Sequence, residues 1–155
     1  MAAATSKPLV QIACICEKVL VEPDNVATLV RVVDTFTLPP PPQVLPPGMP
    51  MAVQLTIVVS LRSGDVVGDF EVGLRLNSPH ERDQPLQRWP VEFRGGEHGA
   101  NLQIDFALPN PQLGLYWFDV LWGEEILTRI PLRLRTSTAS ESTADAASPS
   151  ETMKR

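Results

Sequence analysis

The chain has 155 residues, a formal charge of −5 and 43% hydrophobic residues, which is one domain's worth of sequence with material for a real core. Its mild acidity gives no electrostatic reason to expect nucleic acid or an anionic membrane as a partner. No stretch approaches the roughly 18–20 uninterrupted apolar residues of a membrane helix.

The only cysteines are Cys14 and Cys16. On one strand face, positions two apart sit about 6–7 Å from each other, too far for an ordinary disulfide. The chain therefore does not read as a secreted disulfide scaffold. Gln11 interrupts the apolar run before Cys14, and Glu17 and Lys18 follow Cys16 directly, which is not a signal peptide. A soluble protein of the reducing cytoplasm is expected.

In chain order, residues 1–8 read as a flexible start. "LVQIACICEKVLVE", 9–22, alternates Val10, Ile12, Cys14 and Cys16 against Gln11, Ala13 and Glu17, and the first set is expected to face inward. "EPDN" is turn chemistry, and "VATLVRVVDTFTL", 26–38, reads as the antiparallel partner strand. "LPPPPQVLPPGMP", 38–50, is closed to helix and central strand because proline removes the amide donor. It is expected as a stiff, extended crossover.

"AVQLTIVVSLRSGD", 52–65, puts Val53, Leu55, Ile57, Val59 and Leu61 on one side. "DFEVGLRLNSP", 69–79, does the same with Phe70, Val72, Leu74 and Leu76. A polar loop, "HERDQPLQ", leads to "RWPVEFRG", 88–95, with Trp89, Val91 and Phe93 inward. "ANLQIDFALP", 100–109, follows with Leu102, Ile104, Phe106 and Leu108. The last pair is "LGLYWFDVLWG" and "EILTRIPLRLR", with "WGEE" as the turn between them. Residues 136–155, rich in Ser, Thr and Ala, cannot bury enough surface to offset ordering entropy and are expected to be a disordered tail. About eight strands at short spacing predict an antiparallel β-sandwich or barrel over residues 9–135.

No catalytic motif stands out. Glu124 and Glu125 are neighbours at a turn, whereas a glycosidase needs carboxyls facing each other across about 5–10 Å. Asp119 lies on an outward row and is expected to pair with Arg129 or Arg133 on the next strand, for about 0–1 kcal/mol if exposed. His80, Glu81, Asp83, Glu97 and His98 lie in loops without metal-ligand spacing, so a metal-dependent hydrolase is the weakest reading and no cofactor is expected. The C-x-C pair lacks the helix N-terminus that activates a redox thiol and reads as packing.

The odd feature is a final hairpin that is apolar on both faces. Tyr116, Phe118, Val120 and Trp122 share one parity, and Leu115, Trp117, Asp119 and Leu121 the other. The second face needs a cover. Leu115, Trp117, Leu121, Arg129 and Arg133 are therefore the candidate contacts for a protein partner or a second copy. The alternative is a carbohydrate-type site using Trp122 near Glu124, or Trp89 near Arg88, as its platform.

"CICEKVLVEPDNVATLVRVVDTF", 14–36, and "GLYWFDVLWGEEILTRIPLRL", 114–134, together resemble a family of small bacterial immunoglobulin-like β-sandwich proteins of unknown function. The resemblance covers about a third of the chain and rests on structural rather than catalytic residues. It implies a bacterial, cytoplasmic, immunoglobulin-like sandwich and assigns no residue a function.

Overall fold

The computed structural model describes residues 6–39 and 52–137. They form seven strands and no helix: β1 (Leu9–Val21), β2 (Ala27–Val32), β3 (Thr35–Leu38), β4 (Ala52–Asn77), β5 (Gln84–Pro109), β6 (Gly114–Trp122) and β7 (Glu125–Thr136). Most of the proline-rich crossover (40–51) and of the tail (138–155) lies outside the described residues, as does the start of the N-terminal segment. No helix among the described residues is long and apolar enough to cross a membrane.

The expected all-β class holds, but the strands are divided differently. The segments 52–65 and 69–79 are one bent strand, β4, and 88–95 and 100–109 are one bent strand, β5. The two stay paired from Ala52↔Pro109 to Leu76↔Gln84, with register shifts between Arg62 and Val67. The glycines of "RSGD" and "RGGEHG" read as turn glycines, and each stretch instead belongs to a bend within a continuous ladder. Irregular registers let a strand change direction without ending. At the bend a Cβ on Gly99 would run into the carbonyl oxygen of Leu61, so that close backbone approach requires glycine.

The opposite correction applies to 26–38. It is two strands, β2 paired antiparallel to β1 and β3 paired parallel to β7. Between them Val33 donates its amide to Ile15 O (2.8 Å), and Asp34 O accepts from the amide of Arg133 (2.7 Å). The chain thus steps from one sheet end to the other. The result is a single mixed sheet, ordered β2-β1-β4-β6-β7-β3 with β5 on β4. It curls into a half-barrel around one core.

The core is the expected one over most of the chain. Ile57, Leu61, Val72, Phe118 and Leu132 are fully buried, and Phe93 nearly so. Phe106 of β5 meets Phe118 of β6 with ring centroids 5.0 Å apart, which joins the two halves of the curl. In β1 the inward set is reversed. Ile15 is buried opposite Ile57 and Ala13 packs against the core opposite Val59, while Val10 and Ile12 are exposed. Both parities of β1 are apolar at this point, so period two does not discriminate between them. Cys14 and Cys16 consequently lie on the outer side. Beyond Cys16, β1 pairs among the described residues with β2 alone, and this arm exposes Leu20, Val21, Val26 and Val32.

The β1 assignment is testable. Ile15→Ala should cost about 2–5 kcal/mol in urea denaturation and Ile12→Ala much less, because only the first opens a cavity. A reversed ranking would restore the parity expected from sequence.

Candidate functional site

The outer face of β4, β6 and β7 carries the one fully buried charge among the described residues, Asp119. It stands opposite Arg75 on one neighbouring strand and opposite Arg129 on the other. Arg75 donates to Asp119 Oδ2 from Nη2 (2.9 Å) and Nε (3.3 Å), and Asn77 Nδ2 donates to the same oxygen (3.0 Å). Oδ1 faces Nε of Arg129 at 3.3 Å without a hydrogen bond. The hydrogen bond from Arg75 to Asp119 holds the guanidinium still further above its ordinary pKa.

The pairing with Arg129 matches expectation. Arg133 instead stands opposite Leu115, and Arg75, the closer partner, comes from a strand more than forty residues away. The exposed-pair energy does not apply, since Asp119 is buried. Taking a buried carboxylate out of water costs several kcal/mol unless it is paired and hydrogen-bonded. Three donors around Oδ2 provide that.

The same groups organise the loop after β4. Asn77 Oδ1 accepts the amide of Asp83 (2.9 Å), and Asp83 Oδ1 lies 3.4 Å from Nε of Arg75. Ser78 and Glu81 close the turn, the Ser78 amide donating to Glu81 O (2.7 Å) and its hydroxyl accepting the Glu81 amide (3.0 Å). The turn rests on the start of β6. Gly114 has φ +133°, and a Cβ there would lie 2.8 Å from Cγ of Pro79, so this position needs glycine for both reasons.

These elements bound a cleft of about 470 Å³ lined by Arg75, Asn77, Arg82, Leu115, Trp117 and Arg129, among others. Trp117 is 37% exposed there and stands opposite Pro131. Of the five candidate contacts, Leu115, Trp117 and Arg129 line this cleft, and Arg133 is exposed beside Leu115. Leu121 is only 5% exposed. It stands opposite Gly73, across which lies Arg88, so its cover is the protein itself. Arg75, Asn77 and Arg82 were not singled out as site residues. Nothing local in the sequence says that β4 lies beside β6.

The other candidates disperse. Trp122 is buried against Phe70 (4.4 Å) and Phe93 (5.4 Å), and Trp89 is half-buried against the core, so the expected sugar platform at Trp122 is core. Glu124 pairs with Arg88 at 2.8 Å. His98 lies in the bend, whereas His80 lies near the last residues of β5. Among the described residues no three His, Cys, Asp or Glu side chains gather as metal ligands. Cys14 is half-buried and Cys16 buried, and burial pushes both thiols up.

Residues 11–135 match a family of unknown function, DUF6941. The chain belongs to that family. No curated protein matches it. The match spans the curled sheet from β1 to β7, so the cleft lies wholly inside the DUF6941 region.

Two outcomes follow for this DUF6941 chain. Arg75→Met removes the main partner of a buried carboxylate and should cost about 3 kcal/mol, whereas Arg129→Met, at a side chain 56% exposed, should cost no more than about 1 kcal/mol; urea denaturation ranks the two. Raised thiol pKa values mean less thiolate at neutral pH in the folded than in the unfolded chain. Iodoacetamide should therefore label the folded protein slowly, Cys14 before Cys16, and more quickly as pH rises. Equal rates in folded and urea-unfolded protein would contradict this.

Proposed function

We propose that this chain is a non-enzymatic protein-interaction module of the bacterial cytoplasm, a single domain over residues 9–135, and that it meets its partner or a second copy at the Trp117 cleft. The observation that carries this is Trp117 itself. Its neighbours in sequence, Tyr116 and Phe118, are buried, and so is Leu121 on its own face, but Trp117 stays 37% exposed in a cleft lined by arginines. Tryptophan and arginine dominate the energetics of protein interfaces. The β1–β2 arm is more exposed, but its exposed apolar residues are valine and leucine, which are under-represented among such anchors. The free cysteines and the resemblance to a bacterial family support the compartment and origin. A carbohydrate-type module is the second reading, with Trp117 now the exposed ring available to it.

The finer fold reading is an immunoglobulin-like sandwich, with the curl's two halves as its sheets. In support, one half is β2-β1-β4-β5 and the other β5-β4-β6-β7-β3, close to the ABE and C′CFG groupings of that fold. Tyr116 at the start of β6 also clasps the backbone four residues upstream. Its hydroxyl accepts the Gln112 amide (2.9 Å) and donates to Gln112 O (3.0 Å), as in the tyrosine corner of such domains.

Trp117→Ala should abolish association, read by sedimentation and by co-purification from the native host, with far-UV circular dichroism unchanged. Unchanged partners and sedimentation, together with loss of both on Val21→Glu and Val32→Glu, would move the interface to the β1–β2 arm and end this reading.

A further inference from the structure

We infer that the cleft takes an extended acidic peptide segment of its partner, with carboxylates on Arg82 and Arg129 and an apolar side chain on Trp117 and Leu115; this rests on the interaction reading above. The sign of the cleft is opposite to that of the molecule. The chain carries −5, but Arg75, Arg82 and Arg129 line the cleft against Asp83 and Asp119, and Arg133 stands beside it opposite Leu115. A local reversal of charge in an acidic protein steers partners of the opposite sign.

The arginines differ in how far they are committed. Arg75 is occupied by Asp119 and Asp83. Arg129 comes nearest to Asp119 through Nε, at 3.3 Å, and that contact is not a hydrogen bond. Arg82 is exposed and, among the described residues, has neither an ion-pair nor a hydrogen-bond partner. Two guanidinium groups therefore have donors to spare, and their planar forks match carboxylates in two-point fashion. Trp117 and Leu115 add apolar surface in the same cleft, so one segment can satisfy both chemistries. A neutral sugar would leave the arginines unused, and a nucleic acid would meet an acidic molecule.

The test uses the full chain and two short synthetic peptides, one of glutamates around a central leucine and one with glutamine at each glutamate. Tryptophan fluorescence reads binding, because Trp122 is buried and Trp117 is not. The glutamate peptide should bind saturably and weaken with salt. Binding should fall roughly tenfold or more with the glutamine peptide, and likewise with Arg82→Glu or Arg129→Gln. Arg82→Glu alters a side chain with no partner to lose, so its loss of binding would not reflect misfolding. Equal binding of both peptides overturns the acidic preference. An equal response to inorganic phosphate or to neutral oligosaccharides overturns the peptide. If neither peptide binds while Trp117→Ala still abolishes association, the acidic segment is wrong and the interaction reading stands. If Trp117→Ala also leaves association intact, both fall.

Discussion

β4 and β5 are each 26 residues long and remain paired through the bend between Arg62 and Val67, and every other strand is placed by them. The first part of β4 receives β1, and its last part receives β6. One continuous ladder thus serves both halves of the curl, so their relative orientation is set by hydrogen bonds rather than by core packing alone. Register is pinned on the outer side of each half by polar cross-strand pairs. Thr56 donates to Asp105 and Ser60 to Asn101, both at 2.7 Å, and Arg75 holds Asp119 farther along. A one-residue slip would break all three and turn the inward row of β4 to solvent.

Asp119 shows how such a pin differs from a stabilising contact. A hydrophobic residue there would pack without desolvation cost, and buried ion pairs are often replaceable by apolar residues at no loss of stability. What an apolar residue could not do is select neighbours. Asp119 requires a donor from β4 on one side and tolerates Arg129 from β7 on the other, so it specifies the order β4-β6-β7 in a strand that is otherwise apolar on both faces. The same carboxylate, through Arg75 and Asn77, fixes the loop that carries Arg82 and Asp83.

The class of fold and most of the core were legible because β4, β5 and β7 alternate cleanly, with one dry and one wet face. Legibility failed where the pattern was degenerate or the cause was distant. In β1, Ile12, Ala13, Cys14, Ile15 and Cys16 are all apolar, so parity was decided by pairing with Ile57 and Val59 rather than by period. The break at Val33 and Asp34 has no glycine or proline to announce it; backbone bonds to Ile15 and Arg133 make it. Glycines at 64, 95 and 96 read as turn glycines because local chemistry cannot distinguish a turn from a bend whose ladder resumes. At the cleft, strand parity within one hairpin puts Trp117 and Arg129 on the same face, and both line it. Arg75 and Arg82 were missed because their place depends on β4 lying against β6.

The two sides of β6 are built by different means, and this explains why the cleft is on the outer one. Inward, Tyr116, Phe118, Val120 and Trp122 are held by packing, and the Tyr116 hydroxyl ties the strand's start to Gln112. Outward, Leu121 is buried opposite Gly73, the guanidinium of Arg75 is bonded to Asp119, and the turn at Pro79 lies against Gly114. That cover stops at Trp117. Among the described residues lining the cleft, Arg75, Asn77, Ser78, Asp83 and Asp119 are tied to other parts of the fold, so those walls are set before anything enters it. On the proposed reading, a partner at such a site would lose little free energy to reorganisation, and specificity would rest on the groups left to respond, Arg82 and Arg129.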